Sequence, residues 1–189
     1  MATATIRNGT NVDQLIQTIG AIQQDPGLAK MTFKATTHWK HGTHSEAVIG
    51  GFVHAGNDDT SRTPGQFVVT GDEPPVLLGQ NLGPNAVEYC LAALGFCYAV
   101  GYVANASAKG IDIDELSYHV EGDIDLQAFL GLANGRAGFT EIRVKGQVKA
   151  SNASPKDLQE LSQYVAATSP VGDILANPVR IKAEFQTTP

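Results

Sequence analysis

The chain has 189 residues, of which 42% are hydrophobic, and its 13 basic and 19 acidic residues leave a formal net charge of -6. A chain of this length buries enough surface to fold without disulfides or structural metals, so it fits one globular domain with at most a short appendage. The sequence has no cluster of basic residues, which argues against nucleic acid and anionic membranes as partners. Its first residues lack an export signal, so we expect a cytoplasmic protein with reduced cysteines.

The N-terminal third of the sequence predicts one helix followed by strands. Apolar residues at helical spacing predict a helix over residues 12–24, with Asn11 as its N-cap. From residue 31 the period changes to two, which predicts a half-buried strand over residues 31–40 and a turn at His41-Gly42. Further strands are expected over residues 44–53 and 66–70, on either side of a polar loop.

The dominant predicted element is a helix over residues 85–109, which Gly110 is placed to end. Its apolar stretch is shorter than the roughly 20 residues that a membrane span needs, so it reads as a buried helix. The later elements are strands over residues 116–120 and 140–150, a helix from Ser154-Pro155 to about Ala167, and a last strand over residues 179–185.

Strands with one polar face before and after an apolar helix predict an α+β fold, with curved antiparallel sheet packed on the long helix. The helix is apolar nearly all round, and one sheet covers only one side of it. A second copy of the chain is the natural candidate to cover the other side.

Two cysteines, Cys90 and Cys97, lie on one stripe of the central helix. Seven residues of helix correspond to a rise of about 10 Å, which exceeds the roughly 7 Å limit on Cα separation in a disulfide. The two thiols therefore cannot join while the helix is intact. Each is either a small buried side chain or a redox group.

The segment that opens this helix carries a specific motif: Gly83-Pro84, then Val87-Glu88, then a run from Leu91 to Cys97. With these residues the chain resembles the OsmC/Ohr family of thiol-dependent hydroperoxide reductases, over roughly residues 31 to 186. The resemblance implies an OsmC-like domain over residues 31–189 after a helical extension over residues 1–30. It also implies an intertwined homodimer with the reactive cysteine at the subunit interface.

The resemblance implies that Cys97 is the peroxidatic nucleophile, and Cys90 falls where the family usually has leucine, which makes it a core residue. The helix-start carboxylate falls on Glu88 in the general OsmC-like pattern, although the Ohr branch carries its glutamate at the position of Val87. A thiolate nucleophile requires such neighbours, because a cation or hydrogen bonds must favour it over the thiol.

Two positions depart from the family pattern. The Cys-Pro-Val motif with the resolving cysteine reads Ser169-Pro170-Val171 here, and a serine cannot form a disulfide. Near the activating arginine the sequence has His44, which is only partly charged at neutral pH. Arg62 and Arg136 are alternative sources of the cation. We therefore expect Cys97, Glu88 and His44 to form the site, with an external thiol as reductant.

Three histidines, His38, His41 and His44, follow one another at a spacing of three. On a straight strand this spacing sends neighbouring ligands to opposite faces, and no carboxylate or cysteine stands at a matching distance. We therefore expect no metal and no cofactor. The expected function is reduction of organic hydroperoxides; the alternative is a non-catalytic dimer that binds a small hydrophobic or acyl molecule in its interface pocket.

Overall fold

The structure is a computed structural model that describes residues 4–62 and 65–188. It is an α+β fold with small antiparallel sheets and one long helix. In chain order the elements are β1 (Ile6–Arg7), β2 (Thr10–Asn11), α1 (Val12–Gln24), β3 (Met31–Thr32), β4 (Ala35–His41), β5 (His44–Ile49), β6 (Phe52–His54), β7 (Asn57–Asp59), β8 (Phe67–Gly71), α2 (Ala86–Ala108), β9 (Glu115–Asp123), β10 (Glu141–Lys149), α3 (Pro155–Thr168) and α4 (Pro170–Ala176).

The chain divides into two compact units, residues 1–92 and residues 93–189, and α2 begins in the first and continues in the second. In the first unit, α1 begins as predicted. The Asn11 side chain accepts a hydrogen bond from the backbone N–H of Gln14 at 3.0 Å, which satisfies one of the free donors of the first turn.

The main sheet of the first unit has the order β4-β5-β8, and all its strands are antiparallel. The turn between β4 and β5 falls at the predicted place, and the Trp39 indole N–H closes it by donating to the Gly42 carbonyl at 2.9 Å. The prediction of a half-buried strand is wrong, because β4 is exposed along its whole length and Trp39 keeps 71% of its surface. Alternation of apolar and polar residues indicates which face of a strand is suited to burial. That face is buried only where a second layer of the structure covers it.

The predicted polar loop between the strands contains an element that the sequence did not indicate. Here β7 pairs with β6 in a short hairpin, and β6 also pairs with β3. The three residues of β7 are Asn57, Asp58 and Asp59, which have low strand propensity and no apolar alternation.

In the second unit, β9 and β10 form a long hairpin with Val148 opposite Leu116 and Gly146 opposite Tyr118. The predicted start of α3 at Ser154-Pro155 is confirmed. A capping box stabilises it, because the Ser154 and Asp157 side chains each accept the other's backbone N–H. The core of this unit lies between α2, α3 and the hairpin. Its buried members are Tyr102, Ala106, Ile111, Leu161 and Val165.

The C-terminal segment differs most from the prediction. Residues 179–185 form no strand, and Ile181 and Phe185 are 88% and 90% exposed. A strand needs a neighbouring strand for its backbone hydrogen bonds, and no described strand of this chain pairs with the segment. The helix α4 just before it was not predicted, since seven residues are too few for a clear helical period.

The helix α2 has 23 residues and a mean hydropathy of 1.5 in its most apolar part, so by length and composition it is able to cross a membrane. The sequence expectation concerned the apolar stretch within this helix, whereas the whole helix passes the test of length and composition. The core helix of a soluble protein passes the same test. In this chain the buried residues of α2 are Leu94, Tyr102, Ala106 and Ser107.

Candidate active site

The second unit places Cys97 against Ser169. Cys97 is half-buried on α2, and the Ser169 hydroxyl donates a hydrogen bond to its Sγ at 3.1 Å. Ser169 is only 5% exposed and is the N-cap of α4, where its Oγ accepts the backbone N–H of Gly172 at 3.0 Å. Two hydrogen bonds thus orient the Ser169 hydroxyl. Its oxygen accepts the Gly172 N–H, and its proton is donated to the Cys97 sulfur.

A hydroxyl that donates to sulfur favours the thiolate, because the hydrogen bond is stronger to the anion than to the neutral thiol. The sequence marked Ser169 only as the position where a resolving thiol is missing. The structure adds that its side chain donates a hydrogen bond to the Cys97 sulfur.

Tyr98, the next residue on α2, is a second polar neighbour of the sulfur. Burial raises the pKa of the Tyr98 phenol, and the charge of an ionised Cys97 raises it further. Both causes keep the phenol protonated and neutral, so Tyr98 adds no negative charge beside a thiolate.

Glu88 lies in the first turn of α2, where it forms a capping box with Asn85. The Asn85 backbone N–H donates to Glu88 Oε2 at 2.8 Å, and the Glu88 N–H donates to Asn85 Oδ1 at 2.9 Å. Glu88 precedes Cys97 by nine positions on the same helix, a rise of about 14 Å.

The loop before α2 is held by a buried carboxylate that sequence reasoning missed. Asp72 is 3% exposed and accepts four hydrogen bonds: from the Thr43 hydroxyl at 2.6 Å and from the N–H groups of Glu73, Gln80 and Leu82 at 2.8, 3.0 and 3.1 Å. The Thr43 hydroxyl, and then these N–H groups, hold the pKa of Asp72 well below its usual range. In the sequence, Asp72 is one of two acidic residues that precede Pro74-Pro75. This pattern is too weak to predict that the Asp72 side chain is buried.

The same loop passes close to β8 at the Gly83 of the motif. A Cβ at Gly83 would lie 2.3 Å from the Thr70 carbonyl oxygen, so this position accepts no larger residue. The Tyr89 hydroxyl donates to the same carbonyl at 2.6 Å. The motif thus serves the close approach of the helix start to β8.

His44 lies at the start of β5 in the first unit, next to Thr43. Its ring Nε2 is buried and has no hydrogen-bond partner within residues 4–62 and 65–188. An unpaired buried polar atom is unfavourable by about 1–3 kcal/mol, so such atoms usually have a partner in the assembled protein.

The arginines considered as activators are engaged elsewhere. The Arg62 guanidinium lies 5.7 Å from the Phe52 ring centroid and 5.4 Å from that of Phe67. Arg136 Nε donates to the Phe139 carbonyl at 2.6 Å.

Cys90 is exposed on α2, so its interpretation as a core residue is wrong for the single chain. The intact helix keeps it about 10 Å from Cys97 along the axis, as expected.

The described residues contain no group of three or more His, Cys, Asp or Glu side chains arranged to bind a metal ion. His38 lies opposite Glu46 on β5, whereas His41 pairs with His44 across a bulge.

Comparison with known proteins places the chain in a family. The model of the family described as OsmC-like protein matches residues 79–184, which cover α2 through the C-terminal segment. No curated protein sequence matches the chain.

Several solved structures share the fold. An OsmC-like protein from Mycoplasma pneumoniae is 20% identical, with 78% of this chain and 89% of that chain covered and a TM-score of 0.57. A putative osmotic stress induced and detoxification response protein from Psychrobacter arcticus 273-4 is 15% identical, with coverage of 75% and 85% and a TM-score of 0.52. An organic hydroperoxide resistance protein OsmC from Legionella pneumophila is 16% identical, with coverage of 76% and 88% and a TM-score of 0.51. The family match together with this fold shows that the chain belongs to the OsmC-like proteins.

Proposed function

We propose that the chain reduces organic hydroperoxides, with Cys97 as the peroxidatic nucleophile and an external thiol as the reductant. The observation that carries the proposal is the buried Ser169 hydroxyl, which donates to Cys97 Sγ at 3.1 Å. Membership of the OsmC-like family supports it, as does the fold shared with a protein described as an organic hydroperoxide resistance protein.

In the first step the Cys97 thiolate attacks the terminal oxygen of the hydroperoxide. A sulfur–oxygen bond forms, the oxygen–oxygen bond breaks, and the alkoxide leaves and takes up a proton to become an alcohol. The sulfur is oxidised by two electrons to a sulfenic acid. The Ser169 hydroxyl favours the starting anion by its hydrogen bond.

The sulfenic acid is then reduced from outside the chain. An external thiol condenses with it to give a mixed disulfide and water. A second external thiol then attacks the mixed disulfide, which forms a disulfide between the two external thiols and releases Cys97 as the free thiol. Ser169 carries no sulfur for this step. Cys90 stays too far along the helix to take its place.

We propose that the working form is a homodimer. On the part of α2 in the second unit, Phe96 and Val100 are 72% and 71% exposed, and the alternating segment over residues 179–185 lacks a strand partner. Covering both apolar surfaces with a second copy removes them from water. The covered helix then has no need of a lipid environment, which agrees with a cytoplasmic protein that binds neither membrane nor nucleic acid.

The dimer also assigns roles to the two other candidate residues. Because Glu88 lies about 14 Å along the helix from Cys97 of its own chain, we propose that Glu88 and His44 approach the thiolate from the second copy. A carboxylate favours the protonated form of a nearby imidazole, and an imidazolium favours a thiolate. The Nε2 of His44, which has no hydrogen-bond partner among the described residues, supports this role.

We also propose that residues 1–30 are an extension to an OsmC-like domain over residues 31–189. The helix α1 supports this, because it buries none of its residues fully.

The experiment treats the protein with one equivalent of cumene hydroperoxide and traps sulfenic acid with a dimedone-type probe. Labelling detected by mass spectrometry is expected in wild type and in Cys90→Ser, and absent in Cys97→Ser. Loss of labelling in Cys90→Ser alone would contradict the assignment. Failure of both thiols to consume peroxide would favour the non-catalytic dimer that binds a small hydrophobic or acyl ligand.

A further inference from the structure

The second unit contains a cavity that the proposed reaction does not use. It has a volume of about 260 Å³ and lies between the β9–β10 hairpin, α2 and α3. We call it the tyrosine cavity. Its lining residues are Tyr98, Tyr102, Leu116, Tyr118, Val144, Gly146, Gln147, Val148, Ser162 and Ala166.

The opening of the tyrosine cavity follows from a missing side chain on β10. Gly146 faces Tyr118 across the hairpin, and a Cβ at Gly146 would lie 2.8 Å from the Tyr118 ring. The glycine lets this ring lie over the strand, where it packs edge-on against the Tyr98 ring at a centroid distance of 5.7 Å. The space beside the two rings remains unfilled and is open at the exposed residues Gln147 and Ala166.

The lining selects a neutral molecule, because none of the residues around the cavity carries a charge. An ionised ligand would lose its hydration without gaining a counter-charge. The volume suits one substituted ring, since a smaller engineered cavity of about 150 Å³ already takes benzene.

Not every hydrogen-bond donor of the cavity is engaged by the described residues. The hydroxyls of Tyr102 and Ser162 both donate to the Leu158 carbonyl, at 3.2 and 2.8 Å. The Tyr118 hydroxyl has no partner among the described residues, and its oxygen is not sealed from solvent. Burial raises the pKa of Tyr118 to about 12, so the hydroxyl is a neutral donor at physiological pH.

We propose that the tyrosine cavity binds a neutral aromatic or similarly compact organic molecule that carries an oxygen acceptor, such as a carbonyl or ether, and that Tyr118 donates to that oxygen. The site lies within a single chain. Its lining includes Tyr98, which also neighbours Cys97, but neither Cys97 nor Ser169, so binding there is separable from the proposed peroxide reduction.

The test measures binding of acetophenone, a ring with a neutral carbonyl, to the full chain by isothermal titration and saturation-transfer NMR. Ethylbenzene lacks the acceptor and benzoate carries a charge, so both are expected to bind more weakly. We expect saturable binding of acetophenone to wild type and to Cys97→Ser alike.

Two pairs of variants locate the ligand. Tyr118→Phe keeps the ring and is expected to weaken acetophenone binding about threefold to tenfold, as one neutral hydrogen bond does, whereas the exposed Tyr164→Phe leaves it unchanged. Ala166→Leu narrows the cavity from an exposed helix position and is expected to abolish binding, whereas Ala167→Leu on the same helix does not.

The proposal is overturned if acetophenone does not bind saturably, or if Tyr118→Phe and Ala166→Leu both bind it as wild type does. It is also overturned if a crystal structure of the assembled protein shows side chains of a second copy filling the cavity. All these variants change exposed or half-buried positions, and their circular dichroism and melting curves show whether each remains folded.

Discussion

Ser169 and Cys97 lie 72 positions apart in the sequence and are joined by a hydrogen bond of 3.1 Å from the serine hydroxyl to the cysteine sulfur. By its resemblance to the OsmC/Ohr pattern, Ser169 falls at the position of the resolving thiol. Under the proposed function, its hydroxyl contacts the nucleophilic sulfur but cannot form a disulfide with it.

The first prediction concerns Ser169→Ala in a Cys90→Ser background. Loss of the donor removes the hydrogen bond to the reacting sulfur, so alkylation by iodoacetamide at neutral pH is expected to slow about threefold to tenfold. The control is Ser151→Ala, which removes an exposed hydroxyl in a turn. If the Ser169→Ala and Ser151→Ala proteins react equally fast, the hydrogen bond does not activate the sulfur.

The second prediction restores the missing chemistry. Ser169→Cys, again with Cys90→Ser, replaces the hydroxyl whose oxygen lies 3.1 Å from the Cys97 sulfur by a thiol. One equivalent of hydroperoxide is expected to give an intramolecular disulfide, because the introduced thiol condenses with the sulfenic acid and releases water. Mass spectrometry without reductant detects the loss of two hydrogens.

Thr168→Cys is the matched control for that experiment, since Thr168 is exposed and directly precedes Ser169. Its thiol is expected to stay reduced. Equal disulfide yields from Thr168→Cys and Ser169→Cys would show that chain flexibility, and not the observed contact, determines the pairing.

The third prediction separates helix capping from reactivity at Glu88. Glu88→Gln keeps an oxygen that accepts the Asn85 N–H, so its melting temperature is expected to stay close to wild type. The lost charge is expected to slow peroxide consumption at least tenfold. Asn85→Ala, by contrast, is expected to cost about 1 kcal/mol of stability through the lost cap while the folded protein reacts at the wild-type rate. If Glu88→Gln consumes peroxide at the wild-type rate, Glu88 caps the helix and has no role in the reaction.

The fourth prediction concerns stability in acid. The pKa of Asp72 is lowered in the folded chain, so the stabilisation is present above the ordinary aspartate pKa of about 3.9 and is lost as the pH falls below it. In wild type, the denaturant concentration at half-unfolding is expected to decrease as the pH is lowered below about 4. In Asp72→Asn this concentration is expected to be lower at pH 7 and to change less with pH. Asp58→Asn, an exposed carboxylate, is the control. Parallel pH curves for wild type and Asp72→Asn would contradict the prediction.

The fifth prediction tests the homodimer. Phe96→Glu places a charge on the exposed apolar part of α2. Wild type is expected to have twice the chain mass of 19.9 kDa in solution, and Phe96→Glu is expected to have the mass of one chain. Light scattering during gel filtration measures both masses. Phe129→Glu changes an equally exposed phenylalanine in the β9–β10 loop and is expected to leave the dimer intact. A wild-type protein that elutes as a monomer would exclude the dimer.

The sequence by itself determined the elements that have their own local signals. Both ends of α1 and the capped start of α3 follow from residues within a few positions of each other, and the end of α2 follows from Gly110, which has a positive φ of 78°. The motif from Gly83 to Cys97 likewise identified the family from contiguous residues. Such signals survive in sequence because capping and periodicity act between near neighbours in the chain.

Only the tertiary structure decided which side chains meet. It showed that the Ser169 hydroxyl donates a hydrogen bond to Cys97 and that Asp72 accepts the hydrogen bonds that hold the loop before α2. It also showed a cavity beside Gly146. It also left residues 179–185 without the neighbouring strand that their alternation predicts. These outcomes depend on groups far apart in the chain, and a local pattern specifies what a residue is able to do but not the partner that it finds.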